Sequence, residues 1–237
     1  LLELAKVLKI LYPLADVDYP DSSLKPSART KLKNVKFGNN VLVGKNVKIG
    51  TNTMVGSNSI IEHDVIIGKN CVIGSNVILK HTIIGDNVMI QDGSKIGLKG
   101  FGFIPAKDNN FKFPHIGRVL IHSNVEIATG CTIDRGSVDD TEIGRNTYLD
   151  NQVHIAHNVK IGSNCMIAGQ VGFAGSSTIG NNVSIGGQAG VSGHLSIGDN
   201  VKIGGGSGVI KDIEDNQIVM GYPAIPFKEF IKSWKKK

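Results

Sequence analysis

The chain has 237 residues, with 26 Lys and Arg against 20 Asp and Glu, a net charge of +6. At 41% hydrophobic and 19% charged it is too apolar for a solvated tail, and it is long enough to bury a core in one or two domains. Lys232 and Lys235 to Lys237 supply four of the charges, leaving +2 for the body; with aromatics at only 5%, the footprint of a nucleic-acid-binding protein is weak and no nucleic-acid partner is expected.

Glycine is the outlier, at 30 of 237 residues, about 13% against a usual ~7%, without the period of collagen. Three cysteines, Cys71, Cys131 and Cys165, cannot all pair within the chain, which argues for a reducing, cytoplasmic setting. No apolar run is long enough to cross a membrane and no signal peptide is visible, so no transmembrane segment is expected.

In chain order, Leu1, Leu4, Leu8 and Leu11 recur at helical spacing and the pattern stops before Pro13, predicting a helix over Leu1 to Tyr12 within a lead-in of residues 1–34. From Val35 the period becomes six. VKFGNN, VLVGKN and VKIGTN open a run that continues unbroken to Asn76, takes a five-residue step at 77–81, and resumes to Lys99. A second run starts with VLIHSN at Val119, stumbles at 137–140, and continues to Asp212.

Position three of each hexad is nearly always Ile, Val, Leu or Phe, and position one is small or β-branched. Positions one and three face the same way on a strand. Asn or Asp at position six tolerates the positive φ of a tight corner. Each hexad is therefore a short strand and a turn, and three close a triangular coil of about 18 residues whose rungs stack about 4.8 Å apart. The expected fold is an all-β parallel β-helix over residues 35–217, and the repeat class implies a left-handed one. The cysteines all occupy position one and are read as core.

Residues 100–118, GFGFIPAKDNNFKFPHIGR, break the period and hold four of the eight Phe, so they form an inserted loop. Residues 218–237 leave the repeat through Pro223 and Pro226 and are expected to form a helical extension.

The coil arithmetic sorts the histidines. His63 and His81, 18 apart at position five, should stack, and with His122 they read as surface or interface residues. His154 points outward from position two, and His115 belongs to the loop, where a substrate-facing role stays open. His157 differs in its surroundings. Gly175 stands one coil above it with a bare N–H, Gly193 and His194 follow another coil on, and glycines from Gly204 to Gly208 leave an open trough. Acyl transfer needs a base to take the nucleophile's proton and a donor for the developing oxyanion. His157, Gly175 and His194 are the catalytic candidates. Asp150, seven residues before His157, stands at a corner from which it could orient the ring. The trough near Gly208 and Ile210 should set acyl length. Spacing alone fits an interface role for His157 equally well.

TIDRGSVDDTEIG at 132–144, LDNQVHIAHNVKIG at 149–162, GFGF at 100–103, GRV at 117–119 and GVSGHLSIG at 190–198 together resemble the UDP-3-O-(3-hydroxyacyl)glucosamine N-acyltransferases of lipid A synthesis. The resemblance implies a homotrimer with clefts between subunits. It also implies transfer of a 3-hydroxyacyl chain from acyl carrier protein, through its phosphopantetheine, to the 2-amino group of a UDP-glucosamine, without a cofactor or metal. On the matching positions His157 would be the general base, the Gly175 N–H the oxyanion donor and His194 a supporting group, with Asp150, Asn151 and His154 as further contacts. The family carries a preceding uridine-binding domain, and this sequence opens on the helix that follows it. The resemblance places such a protein in the cytoplasm of a Gram-negative bacterium, at or near its inner membrane.

Other readings compete. A coenzyme A-dependent acetyltransferase acting on another nucleotide sugar shares the fold. The H-x-x-H spacing of His154 and His157 also fits a zinc site at a subunit boundary. A β-helical binding rod would make the histidines incidental. The basic C-terminus reads as a solvated helix, or as a dock for the acidic carrier protein.

Overall fold

A computed structural model describes residues 1–15, 21–27, 32, 34–107 and 109–234. The chain is an all-β left-handed parallel β-helix of about ten turns, with one short helix at each end. Most strands are two residues long and fall into three sheets, the faces of a triangular prism. The first face holds His154–Ile155, Gly172–Phe173, Gly190–Val191 and Gly208–Val209; the second Lys160–Ile161 and Thr178–Ile179; the third Tyr148–Leu149 and Met166–Ile167. Neighbours pair in parallel and in register, so His154, Gly172, Gly190 and Gly208 are successive rungs.

The hexad assignments hold through the middle coils, while Phe37, Val47 and Ile49 of the first coil and Leu195 near the other end are only partly buried. Val153, Ile155, Val159, Ile161, Cys165 and Ile167 are at most 2% exposed, so positions one and three do build the core. The cysteines fill the same interior column, and the Sγ of Cys165 lies 3.2 Å from the Gly180 carbonyl. Burial raises all three thiols, so none is a ready nucleophile. The corners turn through position-six residues at positive φ, such as Asn146 at 57° and Asn164 at 59°. On one edge these asparagines form a side-chain ladder, with Asn124 donating to Asn146 at 3.0 Å and Asn146 to Asn164 at 3.1 Å. Corner glycines are needed where rungs nearly touch: a Cβ on Gly144 would lie 2.5 Å from the Gly162 carbonyl carbon.

The two ends add detail to the expectation, and one boundary moves. The N-terminal helix α1 spans Leu2–Leu11, but it buries Ala5 and Leu8 while Leu1, Leu4 and Leu11 stay exposed. The narrow Ala5–Leu8 face makes the contact, so spacing found the helix but not its packed side. Below the first coil, Lys25–Pro26 pairs antiparallel with Leu42–Val43. The solenoid also runs past residue 217: Ile218–Met220 pairs in parallel with Lys202–Ile203, and only then does Ile225–Pro226 turn back into helix α2, Phe227–Trp234. Lys235 to Lys237 lie outside the described residues.

The inserted loop leaves the prism where the Lys95–Lys99 strand ends. It forms a hairpin, Phe103–Ile104 against Phe111–Lys112, and rejoins the second face at Val119–Ile121.

Candidate active site on the first-second edge

His157 stands half-buried at the corner between the first and second faces. Its Nδ1 lies 3.0 Å from Oδ1 of Asn158, the next residue. The Asn158 amide is itself pinned. Its Oδ1 accepts from the Ser137 N–H at 3.0 Å and the Ser137 hydroxyl at 2.8 Å, and its Nδ2 donates to the Asp139 carbonyl at 3.1 Å. A backbone N–H can only donate, so the atom facing His157 is the amide oxygen. His157 must then carry its proton on Nδ1, which leaves the lone pair on Nε2. The irregular stretch 137–140, a mere stumble in the repeat, is the clamp that fixes this tautomer.

Gly175 is one rung above His157. A Cβ there would lie 2.7 Å from both Cε1 and Nε2 of the ring, so the imidazole packs against a bare α-carbon. The neighbouring amides make the rung bonds, Ala174 N to Val191 O and Ser176 N to His157 O; the Gly175 N–H has no hydrogen-bond partner among the described residues. A free base nitrogen and a free amide thus meet at one edge.

His194 does not continue that column. It lies above Asn158 and Ser176 at a φ of 60°, its side chain is exposed, and its N–H donates to the Gly175 carbonyl at 3.1 Å. The residue two rungs above His157 is Gly193, so within this chain the two imidazoles lie on adjacent columns about 10 Å apart along the axis.

Asp150 and Asn151 are placed elsewhere. They stand on the edge between the third and first faces, where Asp150 Oδ1 accepts from the Asn151 N–H at 2.7 Å and Asn151 Oδ1 accepts from the Thr129 N–H at 3.1 Å. Asp150 therefore does not make the expected contact with His157 within the chain. A hexad spans one side of the triangle, so seven residues carry the backbone to the next edge. Asn158 takes the orienting role instead.

His154 projects from the first face, with Nδ1 2.8 Å from the Thr132 hydroxyl, and does not converge with His157. Above it runs a groove of about 700 Å³ whose lining includes Ala156, Gly190, Ser192, Ile210 and Tyr222. A Cβ on Gly172 or Gly190 would meet nothing within 4 Å, so these glycines leave open surface that the backbone packing does not require. Gly208 differs, because a Cβ there would strike the Tyr222 ring. Tyr222 lies across the groove at that rung, and Ile210 stands beside it, 60% exposed.

One residue near the base was not assigned from the sequence. His115, from the inserted loop, is 2% exposed, and its ring centroid lies 5.0 Å from that of His157. Burial, with the nearby charges of His157, Arg135, Lys99 and Lys112, lowers its pKa to about 4. No repeat relates the two residues, 42 apart across the loop, so no spacing could have found the contact. His63 and His81 do stack as expected, edge to face at 5.8 Å, and His122 pairs with Glu142 at 2.6 Å on the outer second face.

Three stretches of the chain are similar to the family model described as bacterial transferase hexapeptide (six repeats). The match to that family model covers residues 46–81, 64–97 and 140–175. Proteins named UDP-3-O-acylglucosamine N-acyltransferase from Rhizobium rhizogenes and Agrobacterium fabrum are 51% and 50% identical to it over 76 residues, 32% of this chain and 21% of each relative. The chain spans about a fifth of the length of the curated relatives it matches. Among solved structures, LpxA from Acinetobacter baumannii superposes with a TM-score of 0.72 at 26% identity, over 86% of this chain and 76% of that one. The UDP-N-acetylglucosamine O-acyltransferase from Moraxella catarrhalis gives 0.57 at 29% identity, over 86% and 74%. No helix among the described residues is long and apolar enough to cross a membrane.

Proposed function

We propose that the protein is an N-acyltransferase of lipid A synthesis, which moves a 3-hydroxyacyl chain from acyl carrier protein to the 2-amino group of UDP-3-O-(3-hydroxyacyl)glucosamine. The observation that carries this reading is the Nε2 lone pair of His157 beside the unpaired N–H of Gly175. The names of the curated relatives supply the substrate class.

In this mechanism Nε2 of His157 takes a proton from the sugar amine as the nitrogen attacks the thioester carbonyl. The carbonyl oxygen becomes an oxyanion that accepts from the Gly175 N–H. Collapse breaks the carbon–sulfur bond, and the phosphopantetheine thiolate leaves with the proton held by His157. The products are an amide and a free thiol. The groove above His154 takes the acyl chain. His194 and Asp150, which stand apart from His157 within one chain, are proposed to reach the cleft through a homotrimer, where an edge of one subunit faces another.

The test is incubation with UDP-3-O-acylglucosamine and a panel of 3-hydroxyacyl carrier proteins, read by mass. His157→Ala should lose roughly 10²- to 10⁴-fold in kcat with its melting temperature unchanged. Acylation of the amine only from acetyl coenzyme A would favour the second reading, an acetyltransferase acting on a nucleotide sugar. No transfer from any donor would overturn the assignment.

A further inference from the structure

We infer that His115 is a positioning residue for His157: its imidazole holds the base against Gly175 and supports the positive charge that His157 acquires on taking a proton. The kinetic part of this claim rests on the proposed transfer; the structural part does not.

The inserted loop is built around the two rings. A Cβ on Gly100 would lie 2.9 Å from Cβ of His157, and one on Gly102 would lie 2.7 Å from Cε1 of His115. With Gly175 on the far side of His157, three glycines bracket the pair, so neither ring can turn without moving backbone. The segment carrying His115 is tied down as well. Nε of Arg135, a side chain 2% exposed, donates to the His115 carbonyl at 2.9 Å, and the Ile116 N–H donates to the Ser137 carbonyl at 2.7 Å. Ser137 also holds Asn158, so one clamp serves both histidines.

Packing alone does not account for a histidine here. Its Nε2 is buried without a hydrogen-bond partner among the described residues, which costs stability that a phenylalanine of similar shape would not. What phenylalanine lacks is a dipole and an unshared pair. In the resting state no hydrogen bond links the rings. Once His157 is an imidazolium, a neutral imidazole held 5.0 Å away in a poorly solvated pocket offers the charge a dipole that a phenyl ring lacks. Burial keeps His115 neutral while this happens, so the pair carries a single positive charge, on His157.

The experiment compares the full chain with His115→Phe, following His157 by imidazole ¹⁵N NMR titration, the fold by thermal melt and transfer by kcat and KM. The charges around the pair, on Arg135, Lys99 and Lys112, are common to both proteins. The Phe variant should melt at or above the wild-type temperature while the His157 pKa falls by about half a unit or more. Its kcat should fall about tenfold with KM within about twofold, and His115→Gln should recover part of the loss. An unchanged His157 titration in the folded Phe variant overturns the inference, as does a rise in KM with kcat kept, which would make His115 a substrate contact. Should Phe prevent folding, the same titration on His115→Met decides the claim by the same criterion. A wild-type protein without transfer activity would sink the proposed function and leave the titration to decide this claim.

Discussion

Asn158 Oδ1 accepts from three donors at once, the Ser137 N–H, the Ser137 hydroxyl and Nδ1 of His157, all within 3.0 Å. The Asn158 N–H also donates to the Thr141 hydroxyl at 2.9 Å, so both backbone and side chain are held. Asn158→Ala releases the His157 ring and its tautomer and leaves Ser137 unpaired. We expect kcat to fall roughly 10- to 100-fold and stability to fall by about 1–3 kcal/mol, read by steady-state transfer and by denaturant melts. Full kcat in this variant would show that the tautomer is set by something else.

The open groove makes a second expectation sharp, because stability and activity should move apart. Gly190 has ordinary strand geometry and free space where a side chain would go. Gly190→Val should therefore be neutral or stabilising, by about 0.4–1 kcal/mol through the unfolded chain, yet obstruct the groove and lower turnover of long-chain donors. Tyr222→Ala should do the reverse and extend the accepted chain by roughly four carbons, about one 4.8 Å rung. A donor-length series measured by mass decides. Identical length profiles in all three proteins would place the acyl chain elsewhere.

His115 also makes stability depend on pH. Its charged form is disfavoured in the fold, with a pKa of about 4 against 6.5 for an ordinary histidine. Below 6.5 the unfolded chain therefore binds a proton that the folded chain does not. The sign follows: this site lowers stability progressively as pH falls from 6.5 towards 4, by on the order of 3 kcal/mol in all. Denaturant melts of wild type and His115→Phe should diverge across that window and run parallel above it. Parallel curves throughout would mean that His115 titrates normally.

The β-helix was legible because its physics is local and periodic. A hexad is one strand and one corner, so a β-branched residue at position one, an aliphatic at position three and Asn at positive φ each declare their place without reference to distant chain. The same arithmetic put Gly175 over His157, since equal steps along the sequence become equal steps along the axis. It also stacked His63 on His81 and placed the cysteines inside. Asp150 escaped because seven residues cross a corner, and His194 because one residue off the count moves a side chain to the next column. Tertiary structure alone decided what the irregular segments do. The 137–140 step folds back to clamp Asn158, the loop lays His115 on the base, and Tyr222 crosses the groove at Gly208. These contacts join segments that no repeat relates, and their geometry depends on which space the regular coil leaves unfilled.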